Sequence, residues 1–354
     1  MKMNRLMIYG AYGYAGELMV RKAVTQGLRP VIAGRDAEKL KPLATELGLE
    51  YRAFDVRNTG SNLQDISVML NCAGPFSATA EPLVEACLAQ HTHYLDITGE
   101  IDIFRQCHAQ DEAARRQNVI VMPGVGTDIV PTDCLAAMLK EKLPAARRID
   151  LALSFGTSPS IGTVNTMIES IGKGGLIREN GELKVVSNAY RIRRIPFQNK
   201  PQWAMTIPWG DVYTSGISTS VPNGSVYLAM PRISIYTVRL TNPVKGLLNT
   251  RLGQKIARQL AGWLMKKGPD DKALESERGQ FWGEAEAPGG QRVQMTMSTP
   301  NVYALTATAG IRIARYCLAY NGPGGYYTPS MLLGSGFIES IPGIEIRMLD
   351  QDGD

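Results

Sequence analysis

The sequence predicts an α/β protein in which a doubly wound parallel sheet of the Rossmann type is followed by a second, α+β domain containing a mixed or antiparallel sheet. Three observations predict it. From residue 5 to about 125, short apolar runs alternate with amphipathic stretches, as parallel strands joined by helical crossovers require. The turn Gly10-Ala11-Tyr12-Gly13-Tyr14-Ala15-Gly16 stands between the first apolar run and the first amphipathic stretch. Beyond Pro123-Gly124-Val125-Gly126 the pattern changes to β segments punctuated by Asn-Gly turn signals.

In chain order, strands are expected at Leu6 to Gly10, Pro30 to Gly34, Tyr51 to Asp55, Ser67 to Cys72, His93 to Thr98 and Val119 to Met122. Helices are expected at about 14–26, 36–47, 78–90 and 101–117, with a shorter segment near 59–65. The second domain opens with a helix from Pro131 to Leu143 and a strand from Ile149 to Phe155. A helical stretch at about 163–173 precedes mostly β patterns up to about residue 236, with hairpins at Glu179-Asn180-Gly181 and Pro222-Asn223-Gly224. A helical segment from Thr241 to Lys267, a hairpin around Pro288-Gly289-Gly290, and helices from Val302 to Ala319 and from Thr328 to Ser340 complete the chain. The expected domains are 1–126, 127–300 and a C-terminal part, 301–354, whose helices return to the first domain.

The 354 residues suit about two domains. With 44% hydrophobic and 20% charged residues, disordered, collagen-like and coiled-coil compositions are excluded. The formal net charge of +5 reads as an excess spread along the chain, which suggests no nucleic-acid partner but suits an anionic small molecule. Cys72, Cys87, Cys107, Cys134 and Cys317 are odd in number and widely spaced, so reduced thiols and a cytoplasmic location are expected. No apolar run is long enough to span a bilayer, and no membrane partner is expected.

The glycine turn carries the chemistry. Gly10 makes the tight turn, Gly13 admits a close approach and Gly16 lets helix meet strand, while amides at the helix start face a diphosphate. Tyr12 and Tyr14 lie in the same loop and would shield the cofactor or pack on the surface. The second strand ends Ala33-Gly34-Arg35, where an NAD site would place an acid. A guanidinium there pairs with a ribose 2′-phosphate, Gly34 clears room for it, and the expected cofactor is therefore NADP(H). The alternative has Arg35 solvated and Asp36 simply capping the next helix. Asp55, ending the third strand, is a candidate acceptor for the adenine amino group. Cys72, Ala73, Gly74 and Pro75 follow the fourth strand, and Asp96, Thr98, Gly99 and Glu100 the fifth, both toward the nicotinamide side.

Together with Gly124 to Asp133 and the late Gly324-Gly325-Tyr326-Tyr327-Thr328-Pro329, these segments resemble the saccharopine dehydrogenase-like oxidoreductase family, including its trans-acting enoyl reductase branch. The resemblance implies a Rossmann domain with NADP(H) and a second domain carrying the substrate. The expected reaction is hydride transfer to or from a C=N or C=C bond of a small molecule in the cleft between domains. The alternatives are a non-catalytic NADP-binding redox sensor and an enoyl reductase acting on a carrier-bound chain. A homodimer is expected.

Hydride delivery needs a proton donor nearby, and Asp128, Thr98 and Glu100 are the catalytic candidates. His91 and His93 read as structural. No Tyr-x-x-x-Lys pair, no metal-ligand spacing and no G-x-S-x-G elbow occurs, so metal and serine hydrolysis are not expected and no metal site is assigned. Arg191, Arg193 and Arg194 read as a solvated face that could also grip a carboxylate. Phe197, Trp203, Trp209, Tyr213, Tyr227 and Tyr236 could wall a pocket, or form sheet core or a subunit interface.

Overall fold

Continuous apolar runs bounded by Gly and Pro become buried parallel strands, because such strands are covered on both faces. The computed structural model describes residues 4–155, 174–244, 250 and 277–349. The chain divides into two units, Met1–Val130 with Tyr303–Gly334, and Pro131–Val302 with Ser335–Asp354. The helical stretch expected at 163–173, and the one at Thr241 to Lys267 apart from a short 3-10 turn at Asn242–Val244, lie outside the described residues.

In the first unit, β1 (Leu6–Tyr9), β2 (Val31–Gly34), β3 (Tyr51–Ala53), β4 (Val68–Asn71), β5 (His93–Asp96), β6 (Ile120–Met122) and β15 (Gly325–Tyr326) form one sheet in the order β15-β6-β5-β4-β1-β2-β3. Every pairing is parallel. The order reverses between β1 and β4, which is where a doubly wound sheet opens a crevice at its carboxyl edge. Helix α1 (Tyr14–Thr25) buries Gly16, Met19, Val20 and Ala23, one stripe at helical spacing. Helix α2 (Ala37–Leu47) is capped by Asp36, which accepts from the amides of Glu38 and Lys39, and ends at Gly48 in the left-handed region. Helix α3 (Phe76–Ala89) follows β4. The single helix expected over 101–117 is two, α4 (Ile101–His108) and α5 (Asp111–Gln117). The segment near 59–65 is a 3-10 turn. Helices α9 (Val302–Leu318) and α10 (Pro329–Leu333) complete the unit. The helix expected to run on to Ser340 stops at Gly334, whose φ of 83° breaks it.

The second unit contains helix α6 (Val130–Lys142) and a mixed sheet. Strands β10 (Ile192–Pro196), β11 (Pro201–Ile207), β12 (Asn223–Ala229), β7 (Arg148–Ser154), β13 (Gly279–Glu286), β14 (Arg292–Thr299) and β16 (Glu345–Leu349) succeed one another across it. The hairpin of β8 (Gly175–Glu179) and β9 (Glu182–Val186) joins β12. Asn180 and Gly181 both hold positive φ, as the tight turn between β8 and β9 requires. The segment after Gly334, expected with the first domain, instead adds β16 to β14.

Two expectations here are corrected. Pro222-Asn223-Gly224 is not a hairpin: Asn223 opens β12, which runs parallel to β7. Its side chain accepts from the Asn180 amide (2.9 Å) and donates to the Arg147 carbonyl (2.9 Å), so the Asn serves as a tie rather than a turn. The stretch read as β up to about 236 contains helix α7 (Asp211–Thr219) and the start of helix α8 (Arg232–Leu240). In α7, tertiary bonds override the local preference of its β-branched residues. Buried Asp211 accepts from Thr132 Oγ1 at 2.9 Å, and the buried Arg178 guanidinium donates to the Val212 and Val221 carbonyls and to Ser215 Oγ. Gly216 and Gly224 leave room for that guanidinium.

The two faces of this sheet differ. On one, α6 approaches so closely that a Cβ on Gly283 would sit 2.6 Å from Leu139 Cδ1. On the other, Asp150, Glu284 and Gln294 stand in register across β7, β13 and β14. Arg193 reaches Glu284 (2.9 Å) and Asp150 (3.4 Å), Arg148 reaches Asp150 (2.9 Å), and the Arg193 guanidinium lies 5.0 Å from the Trp282 ring centre. Arg193 is therefore an internal counter-ion and not part of a solvated face, while Arg194 is exposed. Phe197 and Tyr227 pack in the core with Trp282, Ala152, Ile195 and Ala204, and Trp209 lies against Phe155, so the aromatic residues of 197–236 serve several separate places.

Candidate functional site

The carboxyl ends of β1, β2, β4 and β5 bring most of the expected cofactor residues together. Gly10 ends β1 with φ +81° and its amide bonds to the Ala33 carbonyl at 2.8 Å, so the turn leans toward β2. A Cβ on Gly10 would sit 2.7 Å from the Ala73 amide nitrogen, which places the Gly10 turn and the Cys72-Ala73-Gly74-Pro75 loop in contact at the switch point. A Cβ on Gly16 would fall 2.2 Å from the Gly10 carbonyl oxygen, and one on Gly13 at 3.2 Å from the same atom. Gly16 is thus required by the crossing of helix and turn, and Gly13 by a milder contact. The start of α1 has no side-chain cap, so no capping side chain takes up its first-turn amides.

At the end of β2, a Cβ on Gly34 would lie 2.6 Å from Cε1 of Tyr12, so the Tyr12 ring rests against Gly34. Arg35 is exposed beside it and forms no ion pair with a described residue, while Asp36 caps α2. Asp36 thus takes the capping role of the alternative reading, and Arg35 stands exposed next to it. Lys39, one turn into α2, adds a cation that the sequence reading missed: its ammonium lies 5.6 Å from the Tyr12 ring centre and 3.5 Å from Asp36. The signal was present as a Lys four residues after Arg35, on the helix whose start faces the same corner. Asp55 accepts from Arg57 Nε (2.8 Å) and the Arg57 amide (3.1 Å), which holds its carboxyl below the usual range. Tyr14 is half exposed and meets Tyr303 edge-on at 5.1 Å.

The carboxyl ends of β4 and β5 carry buried polar side chains. Asn71, Tyr94 and Asp96, at the ends of β4 and β5, form a chain: Asn71 Nδ2 to Tyr94 Oη at 3.3 Å, then Tyr94 Oη donating to Asp96 Oδ2 at 2.8 Å. Asp96 Oδ1 accepts from the amides of Thr98 (2.9 Å) and Gly124 (3.0 Å). Asn71 Oδ1 accepts from the Ala73 amide at 2.9 Å, and Thr79 Oγ1 donates to the Ala73 carbonyl at 2.7 Å. This network ties together the loops that follow β4, β5 and β6, and burial raises the Asp96 pKa to about 6. Cys72 is half-buried, donates to Met19 Sδ at 3.4 Å, and has its thiol pushed well up by burial.

Of the catalytic candidates, Thr98 is fully buried and its hydroxyl accepts from the Glu100 amide at 3.0 Å. Glu100 stands at the start of α4. Asp128 keeps part of its surface open, and burial raises its carboxyl from the ordinary value to about 7. A Cβ on Gly99 would sit 3.1 Å from Asp128 Oδ2, so Gly99 and Asp128 are neighbours at the carboxyl end of β5. Thr127, next in line, accepts from Thr306 of α9 at 3.0 Å. His93 Nδ1 accepts from the Ile120 amide at 3.0 Å, the structural role expected of it.

Residues 6–122 match the saccharopine dehydrogenase NADP binding domain. A saccharopine dehydrogenase-like oxidoreductase of Rattus norvegicus is 24% identical over 233 residues, covering 57% of this chain and 53% of that protein. The chain thus spans about half the length of such curated relatives. A lipid droplet localized protein of Caenorhabditis elegans is 23% identical over 296 residues, 73% of this chain and 66% of that one. Among solved structures, apo saccharopine dehydrogenase (L-Glu forming) of Saccharomyces cerevisiae superposes with a TM-score of 0.67 at 10% identity, covering 98% of this chain and all of that one. The likeness is one of fold.

Proposed function

We propose, from the premise that residues 6–122 are a saccharopine dehydrogenase-type NADP-binding domain, that the protein is an NADP(H)-dependent oxidoreductase that moves a hydride to or from a C=N or C=C bond of a small-molecule substrate. The observation that carries it is the pairing of the Gly10–Gly16 turn with Arg35 directly after β2, the position at which an NAD site places an acid.

The crevice suits a dinucleotide: Gly10, Gly16 and Gly34, which would face it, are positions where an added Cβ would strike backbone or the Tyr12 ring. The amides of the α1 start would hold the diphosphate, and Arg35 with Lys39 would hold the 2′-phosphate above Tyr12. The nicotinamide, when bound, supplies or accepts the hydride. Around it, Ala73 and Gly74 offer backbone without bulk, and the Asn71–Tyr94–Asp96 chain keeps the loops in register. Asp128, with a pKa near 7, is suited to hold a proton at its carboxyl and release it to a reacting atom around neutral pH. Thr98 and Glu100 shape the same corner.

The test is a fluorescence titration with NADPH and with NADH. Arg35→Ala is expected to weaken NADPH roughly tenfold or more, the loss of one charge-assisted contact, and to leave NADH unchanged. Equal affinity of wild type and variant for NADPH would remove the cofactor assignment.

A further inference from the structure

The positive balance of the chain is not spread evenly. Between Asp211 and Asp270 there is no Asp or Glu, while Arg232, Arg239, Lys245, Arg251, Lys255, Arg258, Lys266 and Lys267 all fall there. Taking these eight from the 38 cations leaves 30 against 33 acids, so the remainder of the chain is net acidic and the whole excess resides in this stretch.

Its described helix, α8, is anchored by one side. Ile235 is buried, and the Arg232 guanidinium lies 4.7 Å from the Trp203 ring centre. The opposite side is apolar and uncovered: Ile233 is 82% exposed, Tyr236 48% and Leu240 78%. These three recur at i, i+3 and i+7 and so form one stripe, with Arg232 and Arg239 along its flank. Elsewhere exposed apolar residues are scattered and need no partner; here two of the most exposed share one helix face in the most basic part of the chain.

A stripe of aliphatic side chains, a tyrosine at its middle and cations at its edge is the composition that lies in the plane of a lipid–water boundary. The apolar residues enter the headgroup layer, Tyr236 sits at the polar level with its hydroxyl in water, and the arginines meet lipid phosphates. An acidic soluble protein would use the charge but would not need bare aliphatic side chains. No helix among the described residues is long and apolar enough to cross a membrane, which matches surface contact rather than insertion. We infer that α8 docks the protein on an anionic phospholipid surface, with Ile233, Tyr236 and Leu240 as the inserting residues and Arg232 and Arg239 as the headgroup contacts. This sets aside the expectation of no membrane partner, and it is independent of the cofactor reading.

The experiment is co-sedimentation of the full chain with vesicles of phosphatidylcholine alone and of an equal mixture of phosphatidylcholine and phosphatidylglycerol. The expected result is binding to the mixed vesicles only, weakened by salt. The double variant Ile233→Glu with Leu240→Glu should abolish it. Arg232→Gln with Arg239→Gln should lower it several-fold and flatten its salt dependence. Val185→Glu, at an exposed apolar residue on β9, should leave it unchanged. Thermal melts confirm that each variant folds. Failure to sediment with the mixed vesicles, or sedimentation unaffected by the Ile233/Leu240 variant, overturns the inference. So does a self-associated wild type that the same variant converts to monomer, because the stripe would then be a contact between copies.

Discussion

The two sheets handle charge in opposite ways. In the parallel sheet of the first unit the central strands β1, β2 and β4 are wholly buried, and the buried polar side chains of the inner strands gather at the carboxyl rim as Asn71 and Asp96. The mixed sheet of the second unit carries Arg148, Asp150, Arg193 and Glu284 across one face, each engaged by another. Charges already matched inside a fold hold its shape. Arg35, at a strand end, is exposed and makes no ion pair with a described residue.

The strongest way to break that contrast is in the second sheet. Glu284→Ala leaves Arg193 facing Asp150 alone and should cost about 3 kcal/mol in urea unfolding, whereas Glu284→Leu combined with Arg193→Met should recover most of the loss. A single variant as stable as wild type would show the ion pairs to be ornamental. In the first unit, Gly16→Ala should lower NADPH affinity by about a hundredfold, about 2.8 kcal/mol, because the new methyl falls on the Gly10 carbonyl and displaces the turn. Retained affinity with a normal melting curve would separate the turn from the cofactor.

The smallest expected effect sharpens the comparison at Asp128. Its folded pKa, about 7, exceeds the ordinary 3.8, so the folded chain binds a proton that the unfolded chain releases. This contribution to stability is present below the unfolded value and is lost as pH rises through about 7. Asp128→Asn should therefore match wild type near pH 4 and exceed it by on the order of 1 kcal/mol near pH 8. Equal curves at both values would mean that the carboxyl titrates normally.

How much was legible follows the same division. Strands β1, β2 and β4 could be read because each is a continuous apolar run ended by Gly or Asn, and the Gly10–Gly16 turn could be read because its constraint is local. Asp36 as a helix cap was equally local. What escaped depends on partners distant in sequence. Arg193 looked solvated because Glu284 lies 91 residues away, and α7 looked like a strand because Arg178 and Thr132, which hold it, are far from it along the chain. The Asn71–Tyr94–Asp96 chain joins two strands through one hydroxyl, which no single segment displays. The clustering of cations was open to counting, but a whole-chain total conceals it.

The short strand β15 has a consequence for synthesis. It completes the nucleotide-binding sheet beside β6, yet it emerges about two hundred residues after Met122. During translation the β6 flank is therefore an open template of unpaired amides and carbonyls, the kind of edge on which nascent chains aggregate. A sheet whose first strand is Leu6–Tyr9 thus waits for a strand far downstream, and truncation anywhere before Gly325 would leave that flank exposed for the lifetime of the molecule.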